Sequence, residues 1–161
     1  MSSETESKAA EPKVAGPSPK AKSLSARLRA VQAFYQKMQN DQSTRSLVNE
    51  YMSHRREMDA EGEELVKPDD SLFKKIIYGV DERRPELESI IDSHLKKDSP
   101  NRNVEPLMRA LLLCASYELM AGELDSPIII NDYLNVGHAF YSKNEVALIN
   151  GVLDNVAKLF K

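Results

Sequence analysis

From Leu24 onward apolar residues recur every three to four positions, the period of an α-helix, and no stretch reads convincingly as a strand. Leu24, Leu28, Val31, Tyr35 and Met38 fall within about 40° of one line down a helix, and Phe34 widens that stripe. Arg29, Gln32 and Gln36 lie on the opposite, solvated side, and Arg27 sits at the stripe's edge. Ser23 or Ser25 is the expected cap, since a serine oxygen can accept from a free N–H of the first turn. A second helix is expected over about Thr44–Met58, with Leu47, Val48, Tyr51 and Met52 on one face, and then an acidic loop over Asp59–Glu64. Pro68, Asp69 and Asp70 open a third helix, in which Phe73, Ile76, Ile77 and Val80 face inward. Pro85 starts a new turn or a kink, because proline fits a first helical turn and not a helix interior. Leu87, Ile90, Ile91 and Leu95 carry the stripe on to about Lys97.

Asp98–Asn101 reads as a turn, and Asn103 as the cap of the next helix. That helix holds Leu107, Leu111, Leu112, Cys114, Ala115 and Leu119 and is apolar nearly all round, which marks it as central and most buried. Gly122 ends it. A further helix runs from Ser126 through Tyr141. The last runs from about Asn144 to Phe160, with Val146, Ile149, Val152, Leu153, Val156 and Phe160 inward. The pattern predicts an all-α fold, a compact bundle of about seven helices.

Composition sharpens this picture at the N-terminus. Residues 1–22 hold Pro12, Pro17 and Pro19, with serines, alanines and mixed charge, and too little apolar surface to offset the entropy of folding. They are predicted to be a disordered tail, with the folded domain at 23–161. Across the 161 residues, 41% are hydrophobic, enough for one core, and six glycines are too few for a turn-rich β fold. The net charge of −3 speaks mildly against a generic nucleic-acid binder, so the local charge carries the question. A lone cysteine, Cys114, excludes an intramolecular disulfide and a cysteine metal cluster, and fits a reducing, cytoplasmic setting. The polar N-terminus lacks a secretory signal, and the apolar run Leu111–Ala115 is too short to span a membrane.

Catalytic chemistry finds little to rest on. His54, His94 and His138 have no second ligand at metal-binding spacing. There is no glycine-rich phosphate loop and no nucleophile elbow. Glu63-Glu64 and Asp69-Asp70 read as helix-dipole and solubility charges. The expectation is a binding module, not an enzyme, without catalytic residues, metal or cofactor.

Two stretches resemble a known family. Ala26-Arg27-Leu28-Arg29-Ala30-Val31-Gln32-Ala33-Phe34-Tyr35 is similar to the opening helix of bacterial NusB proteins, where arginines precede an Ala-Val-Gln-Ala-Leu-Tyr segment. The second joins Ala115–Leu119, Ile130-Asn131-Asp132-Tyr133, Ala139-Phe140 and Ile149-Asn150-Gly151-Val152-Leu153-Asp154. It resembles, in order and spacing, the family's Tyr-Glu-Leu, Ile-Asn-Glu and Phe-Val-Asn-Gly-Val-Leu-Asp segments. Gly79-Val80 adds a weaker likeness.

The resemblance implies an all-α fold of about seven helices and a role in transcription antitermination. NusB-like proteins pair with NusE, also a small-subunit ribosomal protein, on the boxA element of nascent RNA, and so act indirectly on the RNA polymerase elongation complex, notably on ribosomal RNA operons. Single-stranded RNA needs cations for phosphates and polar or aromatic groups for bases. Lys20, Lys22, Arg27 and Arg29 bring four positive charges to one end of the first helix, and Gln32 lies one turn on. Arg27 and Arg29 match the family's arginine-rich start. Lys143 and Asn144 lie in the loop before the last helix, which borders RNA in relatives. Tyr35 matches a partner-contacting tyrosine by position, and Glu105 opens the central helix. Asn150 and Asp154 read as packing residues, the asparagine buried. The chain departs from the family at Ser23, Leu24 and Ser25, where relatives often have arginines, at Leu113, where arginine is common, and at Leu148, where many have phenylalanine. Asp132 replaces a glutamate. Two readings compete: a protein-interaction module of the same fold with weak or lost RNA binding, and an auxiliary module for ribosomal RNA processing. The sequence leaves room for a homodimer.

Overall fold

The computed structural model describes residues 18–61, 67–98 and 104–161, all helices and short connections. The six helices among them are α1 (Pro19–Asn40), α2 (Thr44–Glu61), α3 (Asp70–Asp98), α4 (Pro106–Ala121), α5 (Ser126–His138) and α6 (Lys143–Leu159). The expected seventh is the second half of α3. The chain departs from helical geometry at Arg83 (φ −108°, ψ 15°), two residues before Pro85, and continues as one kinked element. The break lets Pro85 sit in a first turn, where its missing N–H costs nothing.

Local chemistry sets most of the ends. Helix α1 begins at Pro19, earlier than expected, because Ser18 and not Ser23 or Ser25 is its cap: the Ser18 hydroxyl accepts from the Ala21 N–H at 3.1 Å. Lys20 and Lys22, expected in the tail, are therefore helical, and residues 1–17 of the predicted tail lie outside the described residues. Asp41 ends α1 in the left-handed region (φ 51°), a conformation aspartate tolerates better than most residues. Ser43 and Asp69 cap α2 and α3 by accepting from Ser46 and Leu72. Helix α2 runs through Glu61, into the segment expected as an acidic loop; residues 62–66 are outside the described residues, as is Asn103, the expected cap of α4. Glu105 caps α4 instead, and Gly122 (φ 67°) closes it. Helix α5 stops at His138, short of Tyr141. A capping box of Ser142 and Glu145 starts α6.

Helix α4 is the axis of the core, as its all-round apolar pattern predicts. Ala110 through Ala115 are fully buried, enclosed by α1, α3, α5 and α6. Helix α2 is peripheral and joins through Tyr51, whose ring stacks on Phe73 of α3 at 3.7 Å. Helices α3 and α4 meet at Gly79, where a Cβ would stand 2.1 Å from the Tyr117 ring. The likeness at Gly79-Val80 thus has a steric basis.

Candidate RNA and partner interface

Helix α1 carries most of the expected site. Lys20, Lys22 and Gln32 are exposed, and Arg29 is half-buried on the helix flank. No acidic residue occupies the first turn of α1. Two lysines there oppose the helix dipole, an arrangement that stability disfavours and an incoming anion would relieve. The Lys22 carbonyl accepts from the Asp69 N–H at 3.1 Å, tying this end of α1 to the start of α3.

Arg27 corrects the sequence reading. It was expected among the phosphate contacts, but it is 2% exposed. Its Nε and Nη2 donate to the two carboxylate oxygens of Glu118 at 2.7 Å each, and its Nη1 donates to Asp132 at 2.8 Å. The Tyr133 hydroxyl donates to Glu118 Oε2 at 2.6 Å. Burial by itself would ease the guanidinium's proton away, but the hydrogen bond to Glu118 and the fields of Glu118, Tyr133 and Asp132 outweigh it and raise the pKa further. A guanidinium so enclosed clamps α1 to α4 and α5 and is not available to a phosphate. The sequence held two signals of this: an arginine at the edge of an apolar stripe, and a glutamate on an otherwise apolar helix, each of which calls for a buried opposite charge. Asp132, a departure from the family's glutamate, belongs to the same cluster. Leu113, the departure on α4, is fully buried, and Leu148 on α6 is half-buried against the core.

The other end of α1 gathers residues the sequence had named separately. Tyr35 is exposed and close enough to Tyr141 for the two hydroxyls to interact electrostatically. The Tyr141 hydroxyl donates to Glu105, which also accepts from the Leu107 N–H at 3.1 Å. Phe140 packs edge-on to Tyr141 and is itself exposed. Burial, then the bond to Glu105, push the Tyr141 hydroxyl above the usual phenol range. Lys143 and Asn144 follow directly, both exposed in the first turn of α6. Tyr35 and Glu105, the two expected partner contacts, thus share one patch. Phe140 and Tyr141 were missed as part of it, although Phe140 stood in the family-like segment. From Lys22 to Tyr35 the rise of α1 is about 20 Å, so the lysine end and the aromatic end are separate stations along one helix.

Asn150 was expected to be buried and is exposed, as is Asp154. Both line a groove of about 710 Å³ between α5 and α6, with Pro127, Asn131 and Lys158. The apolar members of the same segment, Ile149, Val152 and Leu153, face the core. Cys114 is fully buried, and burial pushes its thiol up, away from reactivity. Among the described residues there is no group of three metal-ligating side chains, and no helix long and apolar enough to cross a membrane.

A family model described as the NusB family matches residues 24–158. The transcription antitermination protein NusB of Allorhizobium ampelinum is 36% identical over 135 residues, covering 83% of this chain and 84% of that protein. Its counterpart from Novosphingobium aromaticivorans is 35% identical over 134 residues, covering 83% and 90%. The backbone is similar to a solved structure of T. maritima NusB, with a TM-score of 0.65 over 88% of this chain and 92% of that one, at 21% identity. The family-model match over residues 24–158 and the 35–36% identity to these relatives agree with the helical bundle, and the chain belongs to the NusB family.

Proposed function

We propose that this protein is a transcription antitermination factor that binds boxA-type single-stranded RNA together with NusE, the small-subunit ribosomal protein, in the cytoplasmic elongation complex. The relatives' name supports the role. The observation that carries the RNA contact is the pair Lys20 and Lys22, exposed in a first turn that has no acidic residue to balance them. Arg29, Gln32, Lys143 and Asn144 complete the proposed RNA set; Arg27 is excluded by its burial. Tyr35 and Glu105 are the proposed NusE contacts.

A titration of boxA RNA with and without NusE tests the reading. Reversing Lys20 and Lys22 to glutamate should weaken RNA binding and flatten the slope of log affinity against log salt by about 0.7 per lost contact, so by about 1.4 in all. Reversing Lys158, in the last turn of α6, and Lys161, just past its end, should change the slope much less. An unchanged affinity and slope in the first variant would remove the RNA reading. The second reading, a module that binds NusE and not RNA, is favoured by the withdrawal of Arg27 into the core, and wild-type binding to NusE without RNA binding would select it.

A further inference from the structure

Helix α4 carries two glutamates that each accept a tyrosine hydroxyl, one near either end. Glu118 takes that of Tyr133, and Glu105 takes that of Tyr141. The first pair is closed: Arg27 lays its guanidinium across both oxygens of Glu118. The second is open. Among the described residues no lysine, arginine or histidine pairs with Glu105. Arg109, one turn along α4, is turned away toward α3, where Glu88 and Asp92 hold it at 2.6 and 2.8 Å.

The Glu105 carboxylate is nevertheless fixed. One oxygen takes the Leu107 N–H and the other the Tyr141 hydroxyl. Each carboxylate oxygen has two lone pairs, so one on each is left for a forked donor, the geometry in which arginine binds best. Two exposed rings, each 36% exposed, lie near its Tyr141 partner: Phe140 packs edge-on to Tyr141 at 6.4 Å, and Tyr35 is close enough to act on the Tyr141 hydroxyl. Ring faces of this kind hold a guanidinium or an apolar side chain equally well. A phosphate backbone suits this place poorly, because Glu145 adds a second negative field at Tyr141.

We infer that Tyr141 is a positioning residue of the NusE-binding face: its hydroxyl holds the Glu105 carboxylate ready for an arginine of the partner, and the Phe140 ring flanks that arginine together with Tyr35. This rests on the proposal that Tyr35 and Glu105 meet NusE, and adds two residues and the chemistry they select. The partner's cation completes the open pair as Arg27 completes the closed one.

Calorimetric titration of the full chain with NusE, over a range of salt, tests it. Tyr141→Phe keeps the ring and removes one hydrogen bond, so affinity should fall by about two- to tenfold. Glu105→Gln should cost about tenfold or more and flatten the salt dependence, since it removes a charge-assisted contact. The double variant should bind no more weakly than Glu105→Gln alone, because Tyr141 acts through Glu105. Phe140→Ala should weaken binding in any background. The melting temperature, and the boxA RNA affinity of the chain alone, should stay near wild type in Tyr141→Phe and Glu105→Gln, which separates positioning from a merely structural role. Wild-type binding with an unaffected Tyr141→Phe overturns the inference and leaves the proposed function standing. Full additivity in the double variant, or a parallel loss of RNA binding by the chain alone, also overturns it. Failure of the wild type to bind NusE would remove the proposed function and this inference together.

Discussion

The two ends of α4 use the same pair of side chains for opposite purposes. At the Glu118 end the carboxylate and tyrosine are buried, and an arginine from α1 neutralises them within the fold. At the Glu105 end the carboxylate faces solvent, the tyrosine is half-buried, and no cation of the described residues meets the carboxylate. The difference lies in what surrounds each pair. A buried carboxylate must find its counter-charge inside the protein, whereas an exposed one is solvated by water and can wait for a partner. Identical chemistry is therefore structural at one end and available for recognition at the other.

The largest test of this contrast is removal of Arg27. Arg27→Ala leaves two buried carboxylates facing each other without a cation, and urea denaturation should show a loss of about 3–5 kcal/mol. Glu105→Gln should shift the same curve by less than about 1 kcal/mol, since its amide oxygen can still cap α4. Comparable losses at the two sites would erase the distinction between a closed and an open pair. It follows that a charge reversal including Arg27 is a folding variant and gives no information about an RNA site.

The tyrosines sharpen the comparison at smaller scale. Tyr133→Phe strips a buried hydrogen bond from Glu118 and should destabilise by about 1–3 kcal/mol. Tyr141→Phe should cost about 1 kcal/mol or less, because water replaces the lost donor at the exposed Glu105. Cys114 offers a readout in place: it lies beside Glu118 and Tyr133, fully buried, and burial holds its thiol protonated. A thiol reagent at mildly alkaline pH should label it only as the domain opens, faster in Tyr133→Phe than in Tyr141→Phe. Prompt labelling of the wild type would show that the Glu118 end is not closed. The smallest expected effect is at α1: Lys20→Glu with Lys22→Glu should raise stability by a few tenths of a kcal/mol by restoring the favoured charge at a helix start, while RNA affinity falls. A drop in stability would mean that these lysines serve the fold.

Much of this was legible in the chain. The stripe on α1, the all-round apolar α4, Gly122 and the break near Pro85 follow from periodicity and backbone chemistry that act over a few residues. The aromatic patch was half legible: Tyr35 and Glu105 were named, but only the packing of α1 against α4 and the α5–α6 connection shows that Tyr141 joins them. Asn150 was misjudged because its segment mixes core and surface positions one residue apart, and the helix phase that separates them is fixed by Ile149, Val152 and Leu153 docking on the core.

The sequence by itself determined that the chain is helical and where its core stripes run. Only the tertiary structure decided which charges are sealed into the core. Arg27 and Arg29 stand two residues apart on one helix, with the same functional group. Arg27 is 2% exposed because Glu118 and Asp132, 91 and 105 residues away, enclose it, while Arg29 is half-buried on the helix flank. A helix turns about 200° between such neighbours, and which side faces low dielectric is set by the elements that pack on it. Local propensity does not encode that choice. The cost of burying a charge does, once the whole chain has come together.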